Sequence, residues 1–363
     1  MGADTVFFVV VLLRFTVPLF IPKYPLPAIL AALVLDAADQ TIFSWVTDDP
    51  LPGYQSYDKA LDIYYLSIAY ITTMRIWRAP VAFQLSRFLF LYRLVGVLLF
   101  ELAHARWLLL VFPNTFEYFF DAYEAVRTKW NPLRLSATAL VGMAAFIWIF
   151  IKLPQEWWIH VAQLDFTEFM ADHPWAWGVI GAAALALVIG IWVNRRKIPK
   201  PDWPFNVAVD KHLPPIEVTV PRTKVFDAVL VEKVVFMALV AVIFAQIIPD
   251  VRSGNLGIAV GVAVLVLLNT IVSEWLYRRG HSWRNSFTAF VAMFAINVGI
   301  VFADSLLSSR RDAPNRSTLF VVLMLSLLIA LYDRYRATRG ATDIRTPAIA
   351  AWRDERRKRE ALA

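Results

Sequence analysis

Two helix-spaced pairs of aspartates, Asp36-Ala-Ala-Asp39 and Asp58-Lys-Ala-Leu-Asp62, carry the most suggestive chemistry in this chain. Spacings of three and four place each pair on one face of a helix. Clustered carboxylates are the hard oxygen ligands taken by Mg²⁺ and Mn²⁺. A second acidic series, Glu117, Asp121 and Glu124, recurs at i, i+4 and i+7, with Asn114 continuing the same face. Arg14, Arg87 and Arg93 are the cations able to oppose these acids, and Gln40 adds an amide beside Asp39. Neutralising pairs, a polar cavity for a solute or ion, and a metal-assisted site are the three uses open to such a set.

The elements that must position these residues are legible in composition. Of 363 residues, 59% are apolar and 18% charged, against about 45–50% and roughly 25% in globular chains. The excess falls in runs near the length that a helix needs to cross ~30 Å of hydrocarbon. The expectation is an all-α, polytopic membrane protein of about eleven transmembrane helices, over 4–20, 28–46, 58–77, 80–101, 106–126, 135–153, 175–194, 227–248, 256–276, 284–307 and 317–334. Residues 1–194 form a seven-span half holding most intramembrane charges. Residues 195–224 form a cytoplasmic linker, 225–337 a four-span half without a visible repeat of the first, and 338–363 a basic tail.

Lys and Arg concentrate in alternate loops, at Lys23, Arg75 and Arg78, Arg127 to Arg134, Arg195 to Lys200, and Arg278 to Arg284. The opposite loops carry Asp48, Asp49, Asp172 and Asp250, with Arg310 and Arg311 as the exception. The positive-inside rule then puts the N-terminus outside and the C-terminus in the cytoplasm, as in a bacterial cytoplasmic membrane. Met-Gly-Ala-Asp-Thr lacks the basic n-region of a signal peptide, so the first apolar run is expected to be retained. Residues 155–172, with Trp158, Phe166 and Phe169 on one face, read as a helix lying in the external interface. Alternation at Val207 and Val209 and at Ile216, Val218 and Val220 suggests a small hairpin in the linker.

Ionisable residues inside spans are costly and seek partners. At 1.5 Å per residue, Arg14 and Asp36 lie ~9 and ~12 Å deep, so they are expected to pair. Arg87 reaches ~10 Å, matching Glu117 or Asp121, and Arg93 lies near the depth of Asn114. Glu232, Lys233, Glu274 and Asp304 are the main charges of the later spans.

The aspartates of spans two and three resemble the two-helix motif of the CDP-alcohol phosphotransferases, DxxDGxxAR, a gap, then GxxxDxxxD. Asp36, Asp39, Asp58 and Asp62 match its four acids over about 27 residues. Gln40 stands in place of its glycine, Phe43-Ser44 in place of Ala-Arg, and Gly53 precedes Asp58 by five positions rather than four. The resemblance implies phosphotransfer on a lipid at the cytoplasmic face, whereas the charge bias places this connecting loop outside. Asp39 and Asp62 fall within a turn of each other in depth, while Arg14 claims Asp36 and Asp58 sits at the interface. At most two of the four aspartates are therefore expected to meet, with no metal and no cofactor bound.

Other chemistries find little footing. Cysteine is absent, the five histidines show no HxxxH spacing, and GxxxxGK[ST], GxGxxG, GxSxG and HExxH do not occur. Glu101 and His104 could relay protons, and Asp48-Asp49 could serve a glycosyltransferase, but an interfacial histidine and an acidic loop account for them. The net charge of +7 follows the loops and the tail, which excludes nucleic acid in favour of the bilayer and, for the tail, anionic headgroups. A protein partner or homo-oligomer stays open. Mixed-sign charges spread over several helices at one depth favour a transporter or channel over an enzyme on a lipid or lipid-linked substrate, or a non-catalytic subunit.

Overall fold

The third helix is the axis of the structure. In α3 (Tyr54–Ile76), Ala60, Leu61, Tyr64, Ile68, Ala69, Tyr70, Ile71 and Met74 are all buried, so every side of the helix is covered. A helix buried all round needs neighbours on all sides. These are α1 (Ala3–Thr16), α2 (Pro25–Ser44), α4 (Pro80–Ala103), α10 (Ala228–Ile247) and α13 (Arg316–Arg339). The computed structural model describes residues 3–44, 54–164, 166–196, 199–209, 228–248, 261–271, 283–307 and 316–339, and every regular element among them is helical. The remaining helices are α5 (Trp107–Val111), α6 (Thr115–Arg127), α7 (Ala137–Val161), α8 (Phe166–Asp172), α9 (Trp175–Asn194), α11 (Gly261–Ile271) and α12 (Trp283–Leu307).

Aromatic rings fill the centre. Tyr70 stacks on Phe90 at 4.5 Å and meets Phe236 edge-on, tying α3 to α4 and α10. Trp77 closes one end of α3 against Phe119, Phe120 and Tyr123 of α6. Pro80 opens α4 at its first turn, where its missing N–H costs nothing. His104 ends α4 in the left-handed conformation at φ 51°, its N–H donating to the Phe100 carbonyl at 2.7 Å.

Among the described residues, four helices are both long and apolar enough to cross a membrane, Ala137–Val161, Trp175–Asn194, Leu230–Ile247 and Arg316–Arg336. The expected count of about eleven is not reached among the described residues. Helices α2, α3 and α4 have 20, 23 and 24 residues but carry paired charges, Asp36 and Asp62 turned to Arg14 of α1 and Lys59 to Glu101. The expected span over 106–126 is two helices broken at Pro113, and the second, α6, is acidic and only 13 residues long.

The expected interfacial helix over 155–172 is also replaced. Residues 155–161 prolong α7, which widens into π-helical turns at Ile147–Lys152 and Trp157–Val161 around Leu153–Glu156. Widened turns let the helix run past Pro154, whose ring excludes an ordinary interior hydrogen bond. The helix ends at Val161, and Gln163 beyond it is left-handed at φ 52°.

Residues 199–209 are irregular rather than a strand. Their peptide groups are used by other partners: Asp202 N and Asn206 N donate to the carbonyls of Lys129 and Thr128, and Val209 N donates to that of Lys23, each at 2.9 Å. Trp203 Nε1 donates to the Arg127 carbonyl at 3.1 Å, and Arg127 Nη1 to that of Ala208 at 3.0 Å. The strand expected at Ile216 to Val220, the Asp48-Asp49 loop, Gly53, Asp250, Glu274 and the basic tail lie outside the described residues.

Candidate functional site

Arg14, in the last turn of α1, points its guanidinium into the space between α2 and α3. Nη2 donates to Asp36 Oδ1 and to Asp62 Oδ1, each at 2.6 Å. Nη1 donates to Asp39 and to Asp58. One side chain therefore joins all four aspartates of the two helix-spaced pairs. The expected Arg14–Asp36 contact is present, and the expectation that at most two of the aspartates meet is overturned. Depth counting from Cα positions missed the reach of the fork, whose five N–H donors bridge carboxylates one turn apart on two helices.

The cluster has a closed floor and an open face. The side chains of Arg14 and Asp39 are 2% and 1% exposed, whereas Asp58, Asp36 and Asp62 are 20%, 34% and 37% exposed. One positive and four negative charges leave three negative charges in excess. Asp36, Asp58 and Asp62 each offer an oxygen within 4.8 Å of the others. Two oxygens bound to one cation at ~2.0–2.6 Å can lie no more than about 5 Å apart, so the spacing fits Mg²⁺, Mn²⁺ or Ca²⁺. Gln40 follows Asp39 on α2, and its side chain lies outside the described residues.

The second acidic series faces α3 and not Arg87. Glu117 accepts from the Tyr65 hydroxyl and, at 2.7 Å, from Asn114 Nδ2. Glu124 accepts from Trp77 Nε1 at 2.7 Å and from Arg127 Nε at 2.6 Å. Asp121, between them, keeps a buried Oδ1 with no hydrogen-bond partner among the described residues. Arg87 pairs with Glu232 of α10 at 3.4 Å, which corrects its expected pairing with Glu117 or Asp121. Glu117 and Glu124 are met by the phenol of Tyr65 in the central helix and the indole of Trp77 just beyond it, donors that a count of formal charges overlooks. Arg93 donates to the Phe112 carbonyl at 2.9 Å, two residues from Asn114.

Other polar contacts were not foreseen. Glu156 of α7 is buried between Lys152 at 3.6 Å and His160 at 3.0 Å, and accepts from Asn114 N at 3.2 Å. The i, i+4 spacing of Lys152, Glu156 and His160 was a readable signal for that cluster. Glu101 meets Lys59 at 3.4 Å, not His104. Lys233 of α10 is buried against Asp333 at 2.6 Å and Thr270 at 2.7 Å, knitting α10 and α13 to α11.

No known protein family, curated protein or solved structure matches the chain.

Proposed function

We propose that this chain is a multi-pass membrane protein that holds a divalent cation on Asp36, Asp58 and Asp62 and uses it for phosphotransfer on a lipid or lipid-linked substrate. The observation that carries the reading is the convergence of four aspartates from two helices on one arginine, with three of them partly exposed and their oxygens within 4.8 Å of one another. A transporter calls for polar groups strung along a path, and an enzyme for carboxylates gathered at one place. Here Arg87 is drawn away to Glu232 while the aspartates gather. The partial match to the CDP-alcohol phosphotransferase motif supports the same chemistry.

In this reading Asp36, Asp58 and Asp62 supply the oxygen ligands, and Arg14 with Asp39 forms the buried floor that sets their orientation. A bound Mg²⁺ or Mn²⁺ would supply charge to a phosphoryl oxygen.

Purified protein in lipid nanodiscs, titrated with Mn²⁺ and followed by electron paramagnetic resonance, tests the site. Saturable binding is expected in the native chain, weakened at least tenfold in Asp62→Asn. Phosphate-labelled lipid extract incubated with Mg²⁺ should yield new lipid species by mass spectrometry, and EDTA should abolish them. Divalent cation uptake into proteoliposomes without lipid turnover would replace this reading by the transport one. No Mn²⁺ binding at all would remove both.

A further inference from the structure

The displacement of Arg87 from the acidic stripe leaves it at the head of a groove. Gln84, Arg87, Phe88, Leu91, Tyr92 and Val95 of α4 line an open cavity of about 410 Å³. From Gln84 to Val95 the groove runs ~16 Å along the helix, about half of the ~30 Å hydrocarbon thickness, or one leaflet. Its polarity is graded. The amide and guanidinium stand at the end near Pro80, and the apolar and aromatic side chains follow. Phe88 is 53% exposed, so the wall is open to the surroundings of the bundle. Tyr92 is held in place by its hydroxyl donating to the Val111 carbonyl at 2.9 Å.

Charge at the head is unbalanced. Arg87 Nη1 and Arg336 Nη2 share one carboxylate oxygen of Glu232, at 3.4 and 3.9 Å, and the other oxygen accepts from the Tyr70 hydroxyl at 2.9 Å. Among the described residues, two guanidiniums against one carboxylate leave one positive charge in excess. Both contacts are longer than a closed ion pair, and a guanidinium has five donors. Arg336 ends the apolar stretch Arg316–Arg336, and Arg87 meets the same Glu232 oxygen, so in the membrane reading the two guanidiniums share one level at the edge of one leaflet.

We infer that this groove binds an anionic phospholipid, with its phosphate on Arg87 and Arg336 and one acyl chain along Phe88, Leu91, Tyr92 and Val95. The site stands toward the opposite end of α3 and α4 from the aspartate cluster. It rests on the membrane reading and not on the cation site.

Native mass spectrometry of the full chain, released from mixed micelles of phosphatidylglycerol and phosphatidylcholine, decides it. The native chain should retain at least fivefold more phosphatidylglycerol. Arg87→Gln with Arg336→Gln should bring the two lipids to parity. Leu91→Trp, which fills the groove and leaves both arginines in place, should lower retention of phosphatidylglycerol several-fold. Free glycerol phosphate at millimolar concentration should not displace the lipid. Equal retention of both lipids by the native chain, or undiminished selectivity in Leu91→Trp, would overturn the inference. Displacement by glycerol phosphate would overturn it too, by assigning the charge to a soluble phosphate.

Discussion

Arg14 holds four carboxylates, and the consequences of that ratio are testable residue by residue. Removing one partner of a buried ion pair costs about 3–5 kcal/mol, because the other charge is stranded. Arg14→Ala strands Asp39 in a buried place and leaves Asp36, Asp58 and Asp62 to repel one another. Its thermal unfolding in detergent should therefore fall by an amount in that range. Two changes should restore part of the loss: addition of millimolar Mn²⁺, and a second substitution, Asp36→Ala. Losses for Arg14→Ala and Asp36→Ala that simply add would show that the two are not partners. Asp36 and Arg14 were matched by sequence depth alone. Asp58 was not, since its place at a helix start hides how far an arginine on another helix reaches.

At the scale of elements, close approach decides more than hydropathy does. Gly96 of α4 lies against Phe112, and a Cβ built there would sit 2.1 Å from the Phe112 Cβ and 2.6 Å from its Cγ. Phe112 directly follows α5 and precedes Pro113, so its backbone has little freedom to withdraw. Gly96→Ala should cost about 1–3 kcal/mol of stability. Gly142→Ala in α7 and Gly178→Ala in α9, where nothing lies within 4 Å, should be neutral or stabilising by up to about 1 kcal/mol. Comparing melting temperatures of the three variants checks this, and an unaffected Gly96→Ala would refute the packing of α4 on Phe112. The turning of the α6 acids toward α3 belongs to the same scale. Periodicity in α6 showed that Glu117, Asp121 and Glu124 share a face, but which neighbour meets that face depends on how the helices pack.

For the whole molecule, the basic loops meet at one end. Arg75 Nη1 donates to the Pro22 carbonyl at 2.9 Å, and residues 199–209 bind both Lys23 and the segment from Arg127 to Asn131. The loops about Lys23, Arg75, Arg127 and Lys200 thus form one face. By the positive-inside rule we propose that this face is cytoplasmic. A cysteine at Lys200, in a chain with no native cysteine, should resist an impermeant thiol reagent in intact cells and react after lysis. Labelling in intact cells would invert the topology.

Composition and periodicity alone established that the chain is helical and that it holds apolar helices long enough to cross a membrane, and they placed most ionisable residues of the expected spans in the first five. Those properties are local, being set by side-chain type and by spacing along one helix. The tertiary structure decided that four aspartates share one arginine, that Arg87 serves Glu232, and that α7 runs on through residue 161. Each of these depends on which helix faces go together and on how far a long side chain extends across the gap. A one-dimensional pattern records depth along a helix axis but not rotation about it, and ion pairs between helices are selected by rotation.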